Sequence, residues 1–195
     1  MLLNPSVLYN TKQSYTPPLE PYEFNRHALI VDTETVGSGA LIEIVEIALG
    51  DIDGNIIYHS LIYPIHNPLP RTTKFQRFDK AEFADAPEWP VMWPDLEALI
   101  NGKLLIAYNA AFDRRAIAAM CARHRHTSPE RGWRCAMELA RRTLGIRRSL
   151  TLKDACAKYG LEGGNHRADY DVVATARLIK SLVADCASRT PLPTR

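Results

Sequence analysis

The chain has 195 residues, 46% of them hydrophobic and 24% charged, with a formal net charge of +2. This length and composition indicate one globular domain with short tails, and they exclude a disordered chain, a collagen-like fibre and a coiled coil. The sequence has no uncharged apolar run of about 18 residues, the least that spans a membrane, and its start lacks the basic region of a signal peptide. We therefore expect no membrane partner and a cytoplasmic protein.

The two ends of the chain differ in composition from its centre. Residues 1–25 are rich in proline and have no periodic apolar pattern, which predicts an N-terminal arm. The folded domain is predicted to span 26–187, and 188–195 to form a flexible tail. No cysteine belongs to a C-x-x-C pair, so we expect reduced, mostly buried thiols at Cys121, Cys135, Cys156 and Cys186.

Apolar runs of strand length and helical spacings of apolar residues divide the domain into elements. In chain order they predict strands at 28–32, 42–49 and 56–63, a helix ending at 100, a strand at 104–108, and helices at 110–125, 137–144, from 151 and at 168–187. Asp53-Gly54 is a hairpin signal between the second and third strands, and five prolines make 64–90 irregular. Hairpin-joined strands followed by alternating helices and strands predict an α/β fold with a mixed sheet.

The first candidate site lies at the end of the most apolar strand, in the sequence Asp32-Thr-Glu34. Side chains two apart on a strand share a face, so both carboxylates point the same way. Two close anions repel each other unless a cation or a proton lies between them, and hard oxygen ligands suit Mg²⁺ or Mn²⁺. For an isolated pair of this kind, a polar strand end facing water is the simpler interpretation.

Two further acidic segments follow in the chain. Asp113 stands in the first turn of a helix that begins where a strand ends, and His166 and Asp171 stand around the start of the last helix. Each has a structural explanation alone, because an acidic residue in a first helical turn complements the helix dipole and a lone histidine is commonly a surface residue. Three acidic segments and a histidine in this order rarely arise together by chance.

Together these segments resemble the DEDD 3′-to-5′ exonucleases of the subgroup with a catalytic histidine. The family motifs D-x-E, H-N-A-x-F-D and H-x-A-x-x-D correspond to Asp32–Gly37, Tyr108–Asp113 and His166–Asp171. The resemblance spans roughly 27 to 184, and within the family the chain looks closest to exonuclease X and the proofreading subunit of bacterial replicases. It implies a ribonuclease H-like three-layer fold, in which helices flank a central mixed five-stranded sheet with one antiparallel strand.

The resemblance also implies a two-metal mechanism with two Mg²⁺ or Mn²⁺ ions. Asp32 would bridge both ions, Glu34 and Asp171 would complete one site, and Asp113 would support the other. His166 would be the general base that takes the proton of the attacking water. Hydrolysis would proceed from the 3′ end and release nucleoside 5′-monophosphates.

Substrate contacts are implied by the same resemblance and by charge. Thr35 and Val36 would offer backbone groups to the terminal nucleotide, and Asn109 would order the second motif. Tyr108 replaces the usual histidine near the terminal phosphate, and Val36 replaces the usual second threonine. The predicted substrate-binding residues are Thr35, Val36, Tyr108, Asn109, Arg114, Arg115 and Arg167.

Between 114 and 148 all ten cationic residues are arginines, opposed within that stretch only by Glu130 and Glu138. Arginine binds phosphate through two parallel hydrogen bonds, so this stretch favours a polyanionic partner, although a solvated helix face explains it equally well. Three tryptophans, at 89, 93 and 133, suit the core better than base stacking.

The sequence leaves three functions open. The first is an exonuclease acting on the 3′ ends of DNA, which we favour. The second is an exoribonuclease of the same superfamily, because contacts to the 2′-OH cannot be read from sequence. The third is a polymerase-associated module that binds nucleic acid and serves proofreading. Neither a protein partner nor a homodimer can be read from the sequence.

Overall fold

A five-stranded mixed sheet forms the centre of the computed structural model, which describes residues 19–68 and 78–189. The strands are β1 (Ala28–Val36), β2 (Glu43–Gly50), β3 (Ile56–Leu61), β4 (Leu104–Ala107) and β5 (Gly132–Cys135). They lie in the order β3-β2-β1-β4-β5. β2 runs antiparallel to its neighbours β1 and β3, whereas β4 runs parallel to both β1 and β5.

Five α-helices accompany this sheet in the described part of the chain. They are α1 (Trp89–Ile100), α2 (Ala110–His124), α3 (Ala136–Leu144), α4 (Leu152–Ala157) and α5 (Ala168–Arg189). Short 3-10 turns occur at Pro21–Glu23, Gly39–Leu41 and Lys80–Phe83. None of the helices that the structure describes is long and apolar enough to cross a bilayer.

Alternate residues of the strands feed two cores, one on each face of the sheet. Ile30 and Ile106 pack on one face with α3, α4 and α5. Val31 and Leu105 pack on the other face with α1 and α2. The two faces are therefore both covered by helices, which gives the three layers expected for this fold class.

Most of the predicted elements are confirmed, with ends displaced by at most four residues. β5 was not predicted as a separate element, because four residues with alternating burial give little periodic signal. Helix α1 begins at Trp89, inside the stretch predicted to be irregular, since Pro90 occupies the first turn, where proline is tolerated. The tryptophans at 89, 93 and 133 are all buried, which confirms their assignment to the core.

The predicted boundary of the N-terminal arm is too late. Leu19 is fully buried, and its backbone N–H donates to the carbonyl of Cys135 in β5 at 3.2 Å. Glu23 forms an ion pair with Arg134, and Glu20 forms one with Arg142. Residues 19–25 therefore belong to the folded domain, and residues 1–18 of the predicted arm lie outside the described residues. At the other end, 188–189 belong to α5 rather than to the predicted tail.

The cysteines are free thiols, as expected. Cys121, Cys135 and Cys156 are buried and Cys186 is partly buried, which confirms that most of them contribute to the cores.

Candidate active site

The second half of β1 carries the first two acidic residues. Ile30 belongs to the core beneath α5, so Asp32 and Glu34, two and four residues further along the strand, point to the same face. A bulge interrupts the pairing with β2 between Glu34 and Thr35. Such a bulge re-aims the side chains that follow it. The paired carboxylates thus lie at the sheet edge where β1 leaves the core.

Asp113 reaches this edge from α2 and is held there by β1. Its Oδ1 accepts hydrogen bonds from the backbone N–H of Thr33 at 3.0 Å and from the Thr33 hydroxyl at 2.8 Å. The side chain is only 3% exposed. Burial raises the pKa of Asp113 to about 7, even though the bonds from Thr33 lower it. Sequence reasoning assigned no role to Thr33, the middle residue of the first motif.

His166 and Asp171 are presented by a tight loop that leads into α5. His166 has a φ of 60°, a left-handed conformation that is uncommon outside glycine. The backbone N–H of Asn165 donates to Asp171 Oδ1 at 3.1 Å, and the N–H of Arg167 donates to Asn165 Oδ1 at 3.2 Å. The ligand atoms of Glu34, His166 and Asp171 all lie within 4.8 Å of one another. The structure therefore brings the third motif against the first.

The carboxylates of the site perturb one another strongly. Burial raises the pKa of Asp32 well above its usual value, and the negative charges of Asp113, Asp171 and Glu34 raise it further. Burial likewise raises the pKa of Asp171. Anions held this close need either protons or cations between them. Because the donors are carboxylate oxygens with a histidine beside them, the set fits Mg²⁺ or Mn²⁺.

A second acidic group, which includes Asp169, lies beside the site. At about 100° per residue, Asp169 points about 200° away from Asp171 around α5, a spacing that predicts a solvent-facing side chain. In the structure Asp169 is partly buried, and its Oδ1 is enclosed without a hydrogen bond to the described residues. It lies within 4.8 Å of Glu46 and His59. The oxygens of Glu46 already accept bonds from His59, Arg167 and Ala168, so this group does not resemble an open metal site. Packing of α5 against β2 and β3, which one helix face cannot reveal, draws Asp169 inward.

Thr35, the residue after Glu34 in β1, and Arg115 line an open groove of about 790 Å³. The groove is also lined by Phe112 and Arg123. Asn109 is exposed at the start of α2, and its carbonyl accepts the N–H of Phe112 at 2.8 Å. Val36 and Arg114 are partly exposed near the same edge.

Two predicted substrate-binding residues, Tyr108 and Arg167, make contacts within the protein. Tyr108 is only 7% exposed, and its hydroxyl lies within hydrogen-bonding distance of the carbonyls of Leu150 and Thr151, at 2.9 and 3.0 Å. Tyr108 therefore connects the end of β4 to the segment that precedes α4. Arg167 forms ion pairs with Glu46 and Glu82, and its guanidinium lies 5.0 Å from the centre of the Phe78 ring. The predicted substrate contacts of both residues stay predictions, and these contacts within the protein compete with them.

The arginine-rich stretch is less uniform than its sequence suggests. Four of its members form ion pairs: Arg123 with Glu43, Arg134 with Glu23, Arg141 with Glu138 and Arg142 with Glu20. Three of those partners lie more than 70 residues away, which is why counting nearby acids missed them. The exposed members are Arg115, Arg125, Arg131, Arg142, Arg147 and Arg148.

Comparison with known proteins identifies the family to which this chain belongs. The family model for exonucleases (RNase_T) matches residues 29–179, a segment that contains all three motifs. The chain belongs to the exonuclease family. The predicted family is thereby confirmed.

Curated proteins similar in sequence to this exonuclease-family chain include the following two. Exodeoxyribonuclease 10 of Escherichia coli K12 is 31% identical over 158 residues, which cover 77% of this chain and 66% of that protein. A PolC-type DNA polymerase III of Oceanobacillus iheyensis is 29% identical over 160 residues, which cover 80% of this chain and 11% of the polymerase. The chain thus spans slightly less than two thirds of the first relative and a small part of the second.

Solved structures confirm the fold. The nuclease domain of 3′hExo, described as a DEDDh family member bound to rAMP, superposes with a TM-score of 0.68 at 16% identity, covering 81% of this chain and 92% of that one. Cell-death related nuclease 4 gives a TM-score of 0.64 at 16% identity, covering 88% and 74%. The five-stranded sheet with flanking helices is the ribonuclease H-like fold of these nucleases.

Proposed function

We propose that this protein is a metal-dependent 3′-to-5′ exonuclease that hydrolyses phosphodiester bonds at the 3′ ends of DNA and releases nucleoside 5′-monophosphates. The observation that carries the proposal is the convergence of the motifs. Three segments separated by more than 50 residues bring Asp32, Glu34, Asp113 and Asp171 to one sheet edge, with His166 beside Glu34 and Asp171. Carboxylates crowded in this way repel one another, and bound divalent cations remove that repulsion.

The carboxylates of Asp32, Glu34, Asp113 and Asp171 would hold two Mg²⁺ or Mn²⁺ ions. Glu34 and Asp171 would bind one ion, and Asp113 would support the other. When bound, such ions supply a nucleophilic water and neutralise charge on the leaving 3′ oxygen. Thr33 keeps Asp113 in place through two hydrogen bonds, and a group held this way loses little freedom when a cation binds.

His166 is placed to accept a proton from the attacking water. Its side chain is exposed to the cleft and lies against Glu34 and Asp171, so a water beside these carboxylates is within reach of the imidazole nitrogen. The left-handed backbone of His166 is held by the Asn165 bridge between Arg167 and Asp171. Strained backbone supported in this way is typical of functional loops.

The open groove of about 790 Å³ supports a nucleic acid strand as the substrate. Phe112 offers a ring for base stacking, and Arg115 offers a cation for phosphate, both in the wall of the groove. Thr35 also lines this groove, and Thr35, Val36, Asn109 and Arg114 remain proposed substrate contacts. The 3′ end would enter along this groove and place its last phosphodiester at the metal ions.

DNA is favoured over RNA because both curated relatives are named for DNA metabolism. Exoribonuclease activity is the second candidate, since one neighbour by fold is described with histone mRNA and another with rAMP. Similarity to a polymerase segment keeps a proofreading association as a further alternative. The expected cytoplasmic location is consistent with four free cysteines.

The deciding experiment compares three substrates of equal sequence: single-stranded DNA, its duplex and the corresponding RNA, each with Mg²⁺ and with EDTA. We expect digestion of DNA with Mg²⁺ and none with EDTA. Asp32→Asn, purified identically, is the control for contaminating nucleases and should be inactive. Faster digestion of the RNA would establish the ribonuclease alternative, and complete digestion in excess EDTA would contradict the metal mechanism.

A further inference from the structure

A fifth carboxylate, that of Glu46, lies on the face of the sheet that carries the active site. Glu46 is fully buried in the middle of β2. In the antiparallel register it stands directly opposite Glu34, so the two side chains project from neighbouring positions on one face. The negative charge of Glu46 raises the pKa of Asp32, as do the charges of the proposed metal ligands. A buried anion in this place calls for an explanation, because it adds repulsion to a site already crowded with negative charge.

The contacts of Glu46 point away from metal binding and towards the histidine loop. Oε2 accepts the buried backbone N–H of Ala168 at 2.9 Å, at the start of α5. Oε1 accepts the Nε–H of Arg167 at 2.9 Å and lies 2.8 Å from Nε2 of His59. Burial raises the pKa of Glu46, but the hydrogen bonds from His59, Ala168 and Arg167 outweigh it and hold the pKa below its usual value. Both oxygens are therefore occupied by donors.

These contacts fix the loop on the far side of His166. On the near side, the N–H of Asn165 is bonded to Asp171. On the far side, Arg167 and Ala168 are bonded to Glu46. The strained residue between them is His166 itself. A side chain held between two anchored backbone segments has its position set by both, and a displacement of about 1 Å can cost about 100-fold in rate.

We propose that Glu46 is a positioning residue of the exonuclease reaction, which holds Arg167 and Ala168 so that His166 stays against Glu34 and Asp171. The inference rests on the proposed function, because His166 must be the general base. Glu46 itself touches neither substrate nor metal. Its role is to fix the loop that presents the base.

The test is a double-mutant cycle between Glu46→Gln and His166→Ala. Glutamine has the shape of glutamate, but Arg167 donates to one carboxylate oxygen and Ala168 to the other, so the glutamine NH₂ must face one of these two N–H donors. We expect Glu46→Gln alone to lower kcat by about 10- to 100-fold while KM changes by less than about threefold. In the His166→Ala background the same substitution should change kcat by less than about twofold, because the positioned group is gone.

Equal losses of kcat in both backgrounds, or a raised KM with kcat unchanged, would overturn the inference. Glu43→Gln is the matched control. Glu43 is also buried on β2 and accepts backbone N–H groups, but those belong to the separate loop of Ile65, His66 and Asn67. Any loss of kcat caused by Glu43→Gln should be the same factor in the wild type and in the His166→Ala background. If Glu46→Gln does not fold, Glu46→Asp, which keeps the charge but shortens the reach, enters the same cycle.

Amide hydrogen exchange tests the loop without catalysis. The Ala168 amide should exchange at least about tenfold faster in Glu46→Gln than in the wild type, as expected for loss of a hydrogen bond to a charged group, and at the wild-type rate in Glu43→Gln. Unchanged exchange at Ala168 would contradict the inference. A wild-type protein that digests no nucleic acid would instead refute the proposed function, and the exchange rates would still decide whether Glu46 holds the loop.

Discussion

Replacement of Asp113 by asparagine should stabilise the metal-free protein while destroying its activity. Asp113 is buried, and its folded pKa of about 7 lies far above the ordinary value of 3.8. The folded state therefore binds the proton more tightly than the unfolded state, so stability falls as the pH rises from about 4 to about 7. Because one pKa unit corresponds to about 1.4 kcal/mol, ionisation of Asp113 lowers the free energy of unfolding by about 4 kcal/mol at pH 7.

Asparagine removes the charge and keeps the shape, and its carbonyl oxygen can still accept both bonds from Thr33. In EDTA at pH 7, we expect Asp113→Asn to be more stable than the wild type by up to about 4 kcal/mol, or about 10 °C in Tm for a chain of this size. At pH 4.5 the gain should shrink to about 1 kcal/mol, because Asp113 is then mostly protonated in the folded state. Saturating Mg²⁺ should stabilise the wild type and narrow the difference.

Thermal unfolding in EDTA at the two pH values measures the effect, and exonuclease assays in Mg²⁺ confirm the loss of activity. Asp53→Asn is the control, because Asp53 is exposed and pairs with Lys180, so its replacement should give no gain. A variant that is less stable than the wild type at pH 7, or equally stabilised at both pH values, would refute the account of Asp113 as a charge held in place for cations.

Three further experiments test the histidine, the third motif and the arginine-rich stretch. His166→Ala should slow hydrolysis by about 10²–10⁴-fold with unchanged Mn²⁺ affinity in calorimetry; near-normal turnover at pH 7 would show that His166 is not the base. Asp171→Asn should lose nearly all activity in saturating Mg²⁺, whereas Asp169→Asn should keep most of it, and the reverse result would mean that the third motif is misaligned by two residues. Arg147→Ala with Arg148→Ala should weaken binding to all sequences alike and flatten its salt dependence by about one charge per lost phosphate contact, and an unchanged slope would identify these arginines as a solvated surface.

Local patterns were sufficient to predict four of the five strands and the acidic motifs. The apolar run before Asp32 identified β1, and side chains two apart on a strand placed Asp32 and Glu34 together without knowledge of the sheet. The resemblance supplied the number of strands and the partnership with Asp113, His166 and Asp171. The strand pattern and the shared face of Asp32 and Glu34 depend only on short-range order within one segment, whereas the partnership came from the resemblance alone.

Features that depend on pairing between distant segments could not be predicted. Thr33 holds Asp113 across 80 residues, and Glu46 reaches Ala168 across 122, so neither partnership leaves a periodic signal. The docking of Leu19 on β5 was missed for the same reason, since an isolated leucine among prolines does not indicate what it packs against. Tyr108 was assigned to substrate by its place in a motif, whereas its hydroxyl bonds to the backbone 42 residues on.

The direction and metal dependence of digestion test the central claim most directly. A single-stranded DNA labelled at its 5′ end should be shortened in Mg²⁺ through a ladder of descending length, because the proposed site hydrolyses the last phosphodiester at the 3′ end, and it should remain intact in EDTA. Release of labelled mononucleotide at the first time point, or a ladder of equal intensity in EDTA, would contradict the assignment of these carboxylates to a two-metal 3′-to-5′ exonuclease.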